Sequence, residues 1–237
     1  MPGRAESPSP RGMAVVIPSY QAVAMIPDIV VRARRAAPDA IVYVVDDGST
    51  DGTGAAAQRE GAVVLVHRHN YGKGAALRTG IARALSDGAR IIVTIDADGQ
   101  HAPEDIARLV APIESGEADL VLGARARGAT MPLARRCSNW VSSALASRVG
   151  GVRVPDAQTG FRAMARPVAE GIRPAEQSYD FEIAFLLATL AEGLRVRSVR
   201  VPTIYQGQRS HFRRWADTWR QARVFMRYGR QIIFGAR

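Results

Sequence analysis

Short apolar runs recur along the first half of the chain and alternate with stretches of helical periodicity. Such runs lie at 13–17, 41–45, 62–66, 91–95 and 119–123, and those at 41–45 and 91–95 are apolar on both faces. They are too short for helices, so each is expected as a buried strand. Between them, Pro27 and Asp28 open a helix that continues to Pro38, and Thr50 or Asp51 caps one that ends before Gly61. Further helices are expected over 75–86 and from Pro103-Glu104-Asp105. Strand and helix alternate five times with short links, which predicts an α/β fold with a mainly parallel sheet and helices on both faces. The second half is less regular. A helix is expected over 131–149, and a polar turn from Asp156 to Arg162 leads into a short apolar run. A strongly apolar helix opens at Tyr179-Asp180-Phe181-Glu182, and a half-exposed strand runs over 196–203. From Phe212 onward, Trp215, Trp219, Ala222, Met226 and Ile233 fall on one stripe at about 100° per residue, flanked by Arg220, Arg223, Arg227 and Arg230. That pattern is a basic amphipathic helix, which either lies on a membrane surface or packs its stripe onto the body of the protein.

Charge sharpens this division. The 237 residues carry a net charge of +10. Residues 1–193 have 21 Lys and Arg against 21 Asp and Glu, whereas 194–237 have eleven arginines and the single acid Asp217. A neutral body with a basic tail points to an anionic partner of that tail. One cysteine, Cys137, excludes a disulfide framework and a multi-cysteine zinc site and points to a reducing compartment. Residues 1–12 have three prolines but no apolar core of a signal peptide, and are expected as a disordered leader. No stretch approaches the roughly 20 apolar residues of a membrane-spanning helix.

The candidate chemistry centres on the run Ile91 to Ile95, which leads straight into Asp96-Ala97-Asp98-Gly99-Gln100-His101. If strand geometry persists, Asp96 and Asp98 point the same way at the C-terminal mouth of a central strand, the edge where open α/β sheets bind ligands. Two carboxylates that close repel unless a cation sits between them or a proton is shared. A few hard oxygen ligands suit Mg²⁺ or Mn²⁺, completed by phosphate oxygens. The alternative is structural: Asp98 starts a turn with Gly99 while Asp96 caps a loop. Neither a Gly-x-Gly-x-x-Gly after the first strand nor a P-loop occurs. Lys73, in the glycine-rich Asn70-Tyr71-Gly72-Lys73-Gly74, is the only lysine among 32 Lys and Arg residues, which draws attention to a compact charge there.

Several motifs then line up in order: Val16-Ile17-Pro18-Ser19-Tyr20, Val44-Val45-Asp46-Asp47-Gly48-Ser49-Thr50-Asp51, the Asn70 to Gly74 loop, Asp96 to Glu104, and Gly123-Ala124-Arg125. Together they resemble the family 2 glycosyltransferases of the GT-A fold. Asp156, Thr159-Gly160-Phe161-Arg162, Phe181-Glu182 and Ser210-His211-Phe212 look like the dolichol- or polyprenyl-phosphate mannosyl- and glucosyltransferases within it. The resemblance spans roughly 13–215 and departs at Gln21-Ala22, where the family often has Asn-Glu. It implies a Rossmann-like, mixed, mainly parallel sheet over a domain at 13–211, followed by the basic helix at 212–237.

The resemblance also implies roles. Pro18, Tyr20, Asp46 and Asp47 would line the nucleoside pocket, with a carboxylate accepting from base N–H groups. Lys73, Ala97, Arg125 and Arg209 would complete the donor site. Asp96 and Asp98, with Gln100 as a further ligand, would hold Mg²⁺ or Mn²⁺ across the diphosphate, while His101 is read as a turn residue. Asp96, Asp98 and Arg125 would carry catalysis. Arg135, Arg136, Arg162 and Ser210 would hold the acceptor phosphate. The implied reaction is inverting, metal-dependent transfer of a hexose from a nucleotide-sugar (GDP-mannose or UDP-glucose) to a polyprenyl or dolichyl phosphate, at the inner face of the cell membrane. If the acceptor were a sugar hydroxyl, Asp156, Asp180 or Glu182 would be candidate bases. A non-catalytic membrane-surface scaffold with the same fold is the reading from a different class. Nucleic-acid binding rests on tail charge alone.

Overall fold

The computed structural model describes residues 12–125, 133–174, 176 and 180–202; of 133–138 it describes the backbone alone. Residues 1–11 of the leader expected at 1–12, the tail helix, Arg209 and Ser210 lie outside the described residues, as do the side chains of Arg135 and Arg136.

The apolar runs form strands close to where the pattern puts them: β1 (Met13–Ser19), β2 (Ile41–Asp46), β3 (Val63–Val66), β4 (Ile91–Thr94), β5 (Leu120–Arg125) and β7 (Val196–Val201). A further strand, β6 (Arg162–Ala165), arises from the short run that the sequence left without a type. The seven strands lie in the order β3-β2-β1-β4-β6-β5-β7. Every pair is parallel except those made by β6, which runs antiparallel between β4 and β5.

The single reversal decides where the site lies. The C-terminal ends of β1, β2, β4 and β5 share one edge, and β6, running the other way, delivers the loop that precedes it to that same edge.

Alternation along each strand divides the core into two layers. In β1, Ala14 and Val16 face one side with Leu77 and Ile81 of α3 (Lys73–Ser86), Ala146 of α5 (Leu133–Gly150), Val168 of α6 (Arg166–Gly171), and Phe185 and Leu186 of α7 (Phe181–Ala191). Val15 and Ile17 face the other side with α1 (Ile26–Ala36), α2 (Thr53–Arg59) and α4 (Ile106–Glu114). Both faces of the sheet are covered, which is why its inner strands read as continuous apolar runs.

Helix α3 lies unusually close to the sheet because Gly80 has no side chain: a Cβ there would collide with Val16 Cγ1 and press on Val45 Cγ2 at 3.0 Å. That approach fixes the height of Lys73, two turns earlier, over the sheet edge. Gly80→Ala is expected to cost about 2 kcal/mol through overpacking, read as a lowered midpoint in urea unfolding with an unchanged slope.

Candidate active site

Strand β4 ends at Thr94, whose Oγ1 donates to the Gly160 carbonyl at 2.8 Å. The two carboxylates therefore follow the strand rather than belong to it, and the alternation expected to aim them together does not apply. Instead, Asp96 is drawn to the Lys73 ammonium at 2.6 Å, and the same ammonium lies 2.5 Å from Glu182 Oε1 at the start of α7. The repulsion expected of the acidic pair is thus met on one side by a cation from the chain itself.

The electrostatics follow from this geometry. Burial would depress the Lys73 ammonium, but Asp96 and Glu182 outweigh it and hold its pKa above the ordinary value. Burial would raise Asp96, but Lys73 outweighs that and keeps it below the carboxylate range. Asp98 goes the other way: burial first, then the Asp96 charge, push its carboxyl up. Its Oδ1 accepts from the Gln100 N–H at 3.0 Å, so the turn reading of Asp98 also holds.

Asp98 is the member of the pair whose charge is left to be offset, and with Asp96 and the Gln100 amide it offers only hard oxygen donors. That donor set fits Mg²⁺ or Mn²⁺. Among the described residues there is no group of three or more His, Cys, Asp or Glu that could hold a metal, so such an ion would need oxygens from a ligand.

Gly160 walls the site from behind. A Cβ at this position would collide with both Asp96 carboxylate oxygens, so only glycine lets the loop pack against that carboxylate. The same loop supplies Asp156, 1 % exposed, which clasps Arg125 at the end of β5. Arg125 Nε donates to Asp156 Oδ2 at 2.7 Å, Nη2 to Oδ1 at 3.1 Å, and the Arg125 N–H to Oδ2 at 3.2 Å. Arg125 Nη1 reaches Gln100 Oε1 at 3.5 Å, which brings Asp96, Asp98, Gln100 and Arg125 into one cluster.

His101 is buried beneath it, 5.2 Å from the Phe161 ring, and burial lowers its pKa to about 4. It is a neutral imidazole at physiological pH.

The expected nucleoside residues sit at the neighbouring edge. Pro18 is in β1, and Tyr20 just beyond it is 49 % exposed. Asp46 and Asp47 differ from the expectation of a direct contact with a base. Both are buried, and their oxygens hold their own loops. Asp46 accepts from the Ser49 and Gly54 N–H groups at 2.9 and 3.0 Å. Asp47 is paired with His67 Nδ1 at 2.7 Å and accepts from the Tyr71 and Gly72 N–H groups at 3.0 and 2.8 Å. They shape the cleft, while Tyr20 and Tyr71 present exposed rings. Tyr71 lies 3.9 Å from the His69 ring. The Gln21-Ala22 departure is absorbed locally: the Gln21 N–H donates to Ser49 Oγ and the Ala22 N–H to Thr53 Oγ1.

Arg162 requires a correction. Expected to hold an acceptor phosphate, it is 3 % exposed and donates to the carbonyls of Thr159, Ala157 and Glu182. Burial lowers its pKa to about 10, against the pull of Glu182 and other acids. It braces the 156–160 loop against α7 and presents nothing to a ligand. Gly160 as the wall behind Asp96 was not legible in the sequence, because it depends on a contact 64 positions away, and the bracing role of Arg162 depends on the fold of its own loop against α7.

Comparison with known proteins decides the family. Residues 14–173 match the model of Glycosyl transferase family 2. The chain belongs to that family. It is a glycosyltransferase, and its mixed sheet is the GT-A fold that the motifs imply. It is 35 % identical to the polyprenol monophosphomannose synthase of Mycolicibacterium smegmatis, covering 81 % of this chain and 76 % of that one. It is 30 % identical to the UDP-N-acetylglucosamine–dolichyl-phosphate N-acetylglucosaminyltransferase of Methanococcus voltae, over 81 % and 85 % of the two chains. Among solved structures, the glucosyl-3-phosphoglycerate synthase of Mycobacterium tuberculosis superposes with a TM-score of 0.77 at 23 % identity, covering 92 % of this chain and 80 % of that one. At that identity the likeness speaks for the fold alone.

The Arg125–Asp156 clasp makes a testable contribution to stability. Burial would raise the Asp156 carboxyl, but the adjacent guanidinium outweighs it and holds it below the ordinary range. Its contribution is therefore complete above about pH 3.9, the unfolded value, and is lost as pH falls through the lower folded value. Asp156→Asn is expected to lower stability at pH 7 by about 3 kcal/mol, since it leaves Arg125 without its charged partner. It should also flatten the loss of stability below pH 4, measured by denaturant unfolding across pH.

Proposed function

We propose that the enzyme transfers a hexose from a nucleoside-diphosphate sugar to a polyprenyl phosphate, with inversion at the anomeric carbon. The donor diphosphate would lie over Asp96, Asp98 and Arg125, with the nucleoside toward Tyr20 and Tyr71. A Mg²⁺ or Mn²⁺ held by Asp96, Asp98 and Gln100 would supply charge neutralisation of the leaving diphosphate. The glucosyl-3-phosphoglycerate synthase noted above has been crystallised with Mn²⁺ and UDP-glucose, in keeping with this use of the fold.

The chain's own residues do the rest. Lys73 holds the Asp96 carboxylate ionised and in place. Arg125, fixed in orientation by Asp156, sets a planar guanidinium beside Asp96 and Asp98 where a diphosphate would lie. Fixed charges of this kind need no reorganisation as negative charge develops on the leaving group.

One observation carries the choice of acceptor. A sugar hydroxyl would need a base, and two of the three candidate carboxylates are committed elsewhere: Asp156 to Arg125, and Glu182 to Lys73. A phosphate monoester, with a second pKa near 6, is already ionised at neutral pH and needs none. Curated relatives named as acting on polyprenol, dolichyl and undecaprenyl phosphates support the same acceptor class. In direct attack, the acceptor oxygen bonds to C1 as the bond from C1 to the diphosphate oxygen breaks, which gives a β-linked product from an α-linked donor.

Calorimetric titration with GDP and with UDP, each with and without Mn²⁺, tests the donor half of this reading. One nucleotide should bind in a metal-dependent way, and Asp98→Ala should abolish that dependence. Gly160→Ala should weaken metal-dependent binding roughly tenfold, because it displaces Asp96 by an ångström or less. Binding of neither nucleotide by the folded protein would overturn the proposal.

A further inference from the structure

Helix α5 is turned inside out. Its inward side is small and polar: Ser142, Ser143 and Ala146 are buried, Ser143 Oγ accepts from the Ala157 N–H at 3.0 Å, and Ser147 Oγ accepts from the Val154 N–H at 2.9 Å. Three large apolar side chains point outward, Trp140 59 %, Val141 47 % and Leu145 41 % exposed, while Val149 packs on the core. Ala144 and Arg148 are exposed with them. At about 100° per residue these five positions cover one continuous face of the helix. An ordinary surface helix has the opposite arrangement.

Charge identifies what covers this face. The α5 sequence contains Arg135, Arg136 and Arg148 and no acid. A second copy of so basic a helix would repel it, and so would the chain's own tail, with eleven arginines and one acid over 194–237. An anionic bilayer complements it. Trp is the side chain favoured at a membrane interface, where a ring sits at headgroup depth.

We propose that the Trp140–Val141–Leu145 face of α5 seats the enzyme on an anionic membrane surface, separately from the tail. This inference rests on the lipid-linked acceptor argued above, and it adds a surface that the acceptor alone does not specify. Helix α5 starts eight residues after Arg125 and is bonded through Ser143 to the loop that carries Asp156 and Gly160. The helix proposed to face lipid is thus tied, through its inward side, to the loop that walls the donor site.

Trp140 can report on this directly. In the full chain carrying Trp215→Phe and Trp219→Phe it is the sole tryptophan. With phosphatidylglycerol-containing vesicles its emission should shift to the blue and be quenched by lipids brominated in the acyl chain, with much less effect from pure phosphatidylcholine vesicles. Adding Val141→Ser and Leu145→Ser should reduce that quenching roughly fivefold or more, through lost apolar burial. Unchanged emission overturns the proposal, whether or not the chain sediments with the vesicles through its tail. So does quenching indifferent to the added substitutions. Shielding of Trp140 from acrylamide before vesicles are added also overturns it, a dimer then naming a second copy as the cover and a monomer naming the chain itself. No donor, metal or turnover enters this readout, so its failure leaves the transferase reading standing, and failure of nucleotide binding leaves this result standing.

Discussion

The site depends on one buried cation. Lys73, the only lysine of the chain, bridges Asp96 and Glu182, and in doing so joins the first turn of α3, the loop after β4 and the first turn of α7. Two carboxylates in so dry a place would otherwise have to take up protons or draw in water. The ammonium holds the Asp96 carboxyl below its ordinary range, and it pins the three elements at one height over the sheet edge. Gly80 permits this from below by letting α3 settle onto Val16 and Val45. Gly160 permits it from the side by letting its loop close on Asp96.

Much of this architecture was legible in the sequence, because the strands are continuous Val- and Ile-rich runs and the helices carry clear start signals. The acidic pair and the lone lysine stood out for chemical reasons that hold without a fold. What was hidden had a common cause. Strand β6 is four residues long, Arg162-Ala163-Met164-Ala165, and weak as a local signal; only its place between β4 and β5 makes it a strand. Its reversed direction is what brings Asp156 and Gly160 to the site. The family resemblance implied a phosphate ligand at Arg162, yet three carbonyls claim it. Glu182 could be read as a base but not as the partner of Lys73, 109 positions earlier in the chain. Asp46 and Asp47 were seen to matter, and their oxygens turned out to hold the cleft's loops.

These buried pairs also bear on catalysis. Three charged groups at the sheet edge are each held by a charged or polar partner: Arg125 by Asp156, Asp96 by Lys73, Asp47 by His67. Such support costs stability elsewhere but leaves little to rearrange when a diphosphate departs. Among the described residues no helix is long and apolar enough to cross a membrane. Helix α5, whose outward face carries exposed Trp140, Val141 and Leu145, is bonded on its inward side through Ser143 to the loop that carries Asp156 and Gly160.

In the function proposed above, these fixed charges serve sugar transfer to a lipid phosphate. The most direct measurement is to incubate the full chain with Mn²⁺, undecaprenyl phosphate in phosphatidylglycerol-containing vesicles, and GDP-mannose or UDP-glucose labelled in the sugar, then partition the products into organic solvent. One donor should move label into the lipid phase, and Asp98→Ala or chelation of the metal should stop it. Label that stays in water with both donors, while the protein binds the matching nucleotide, would contradict the account.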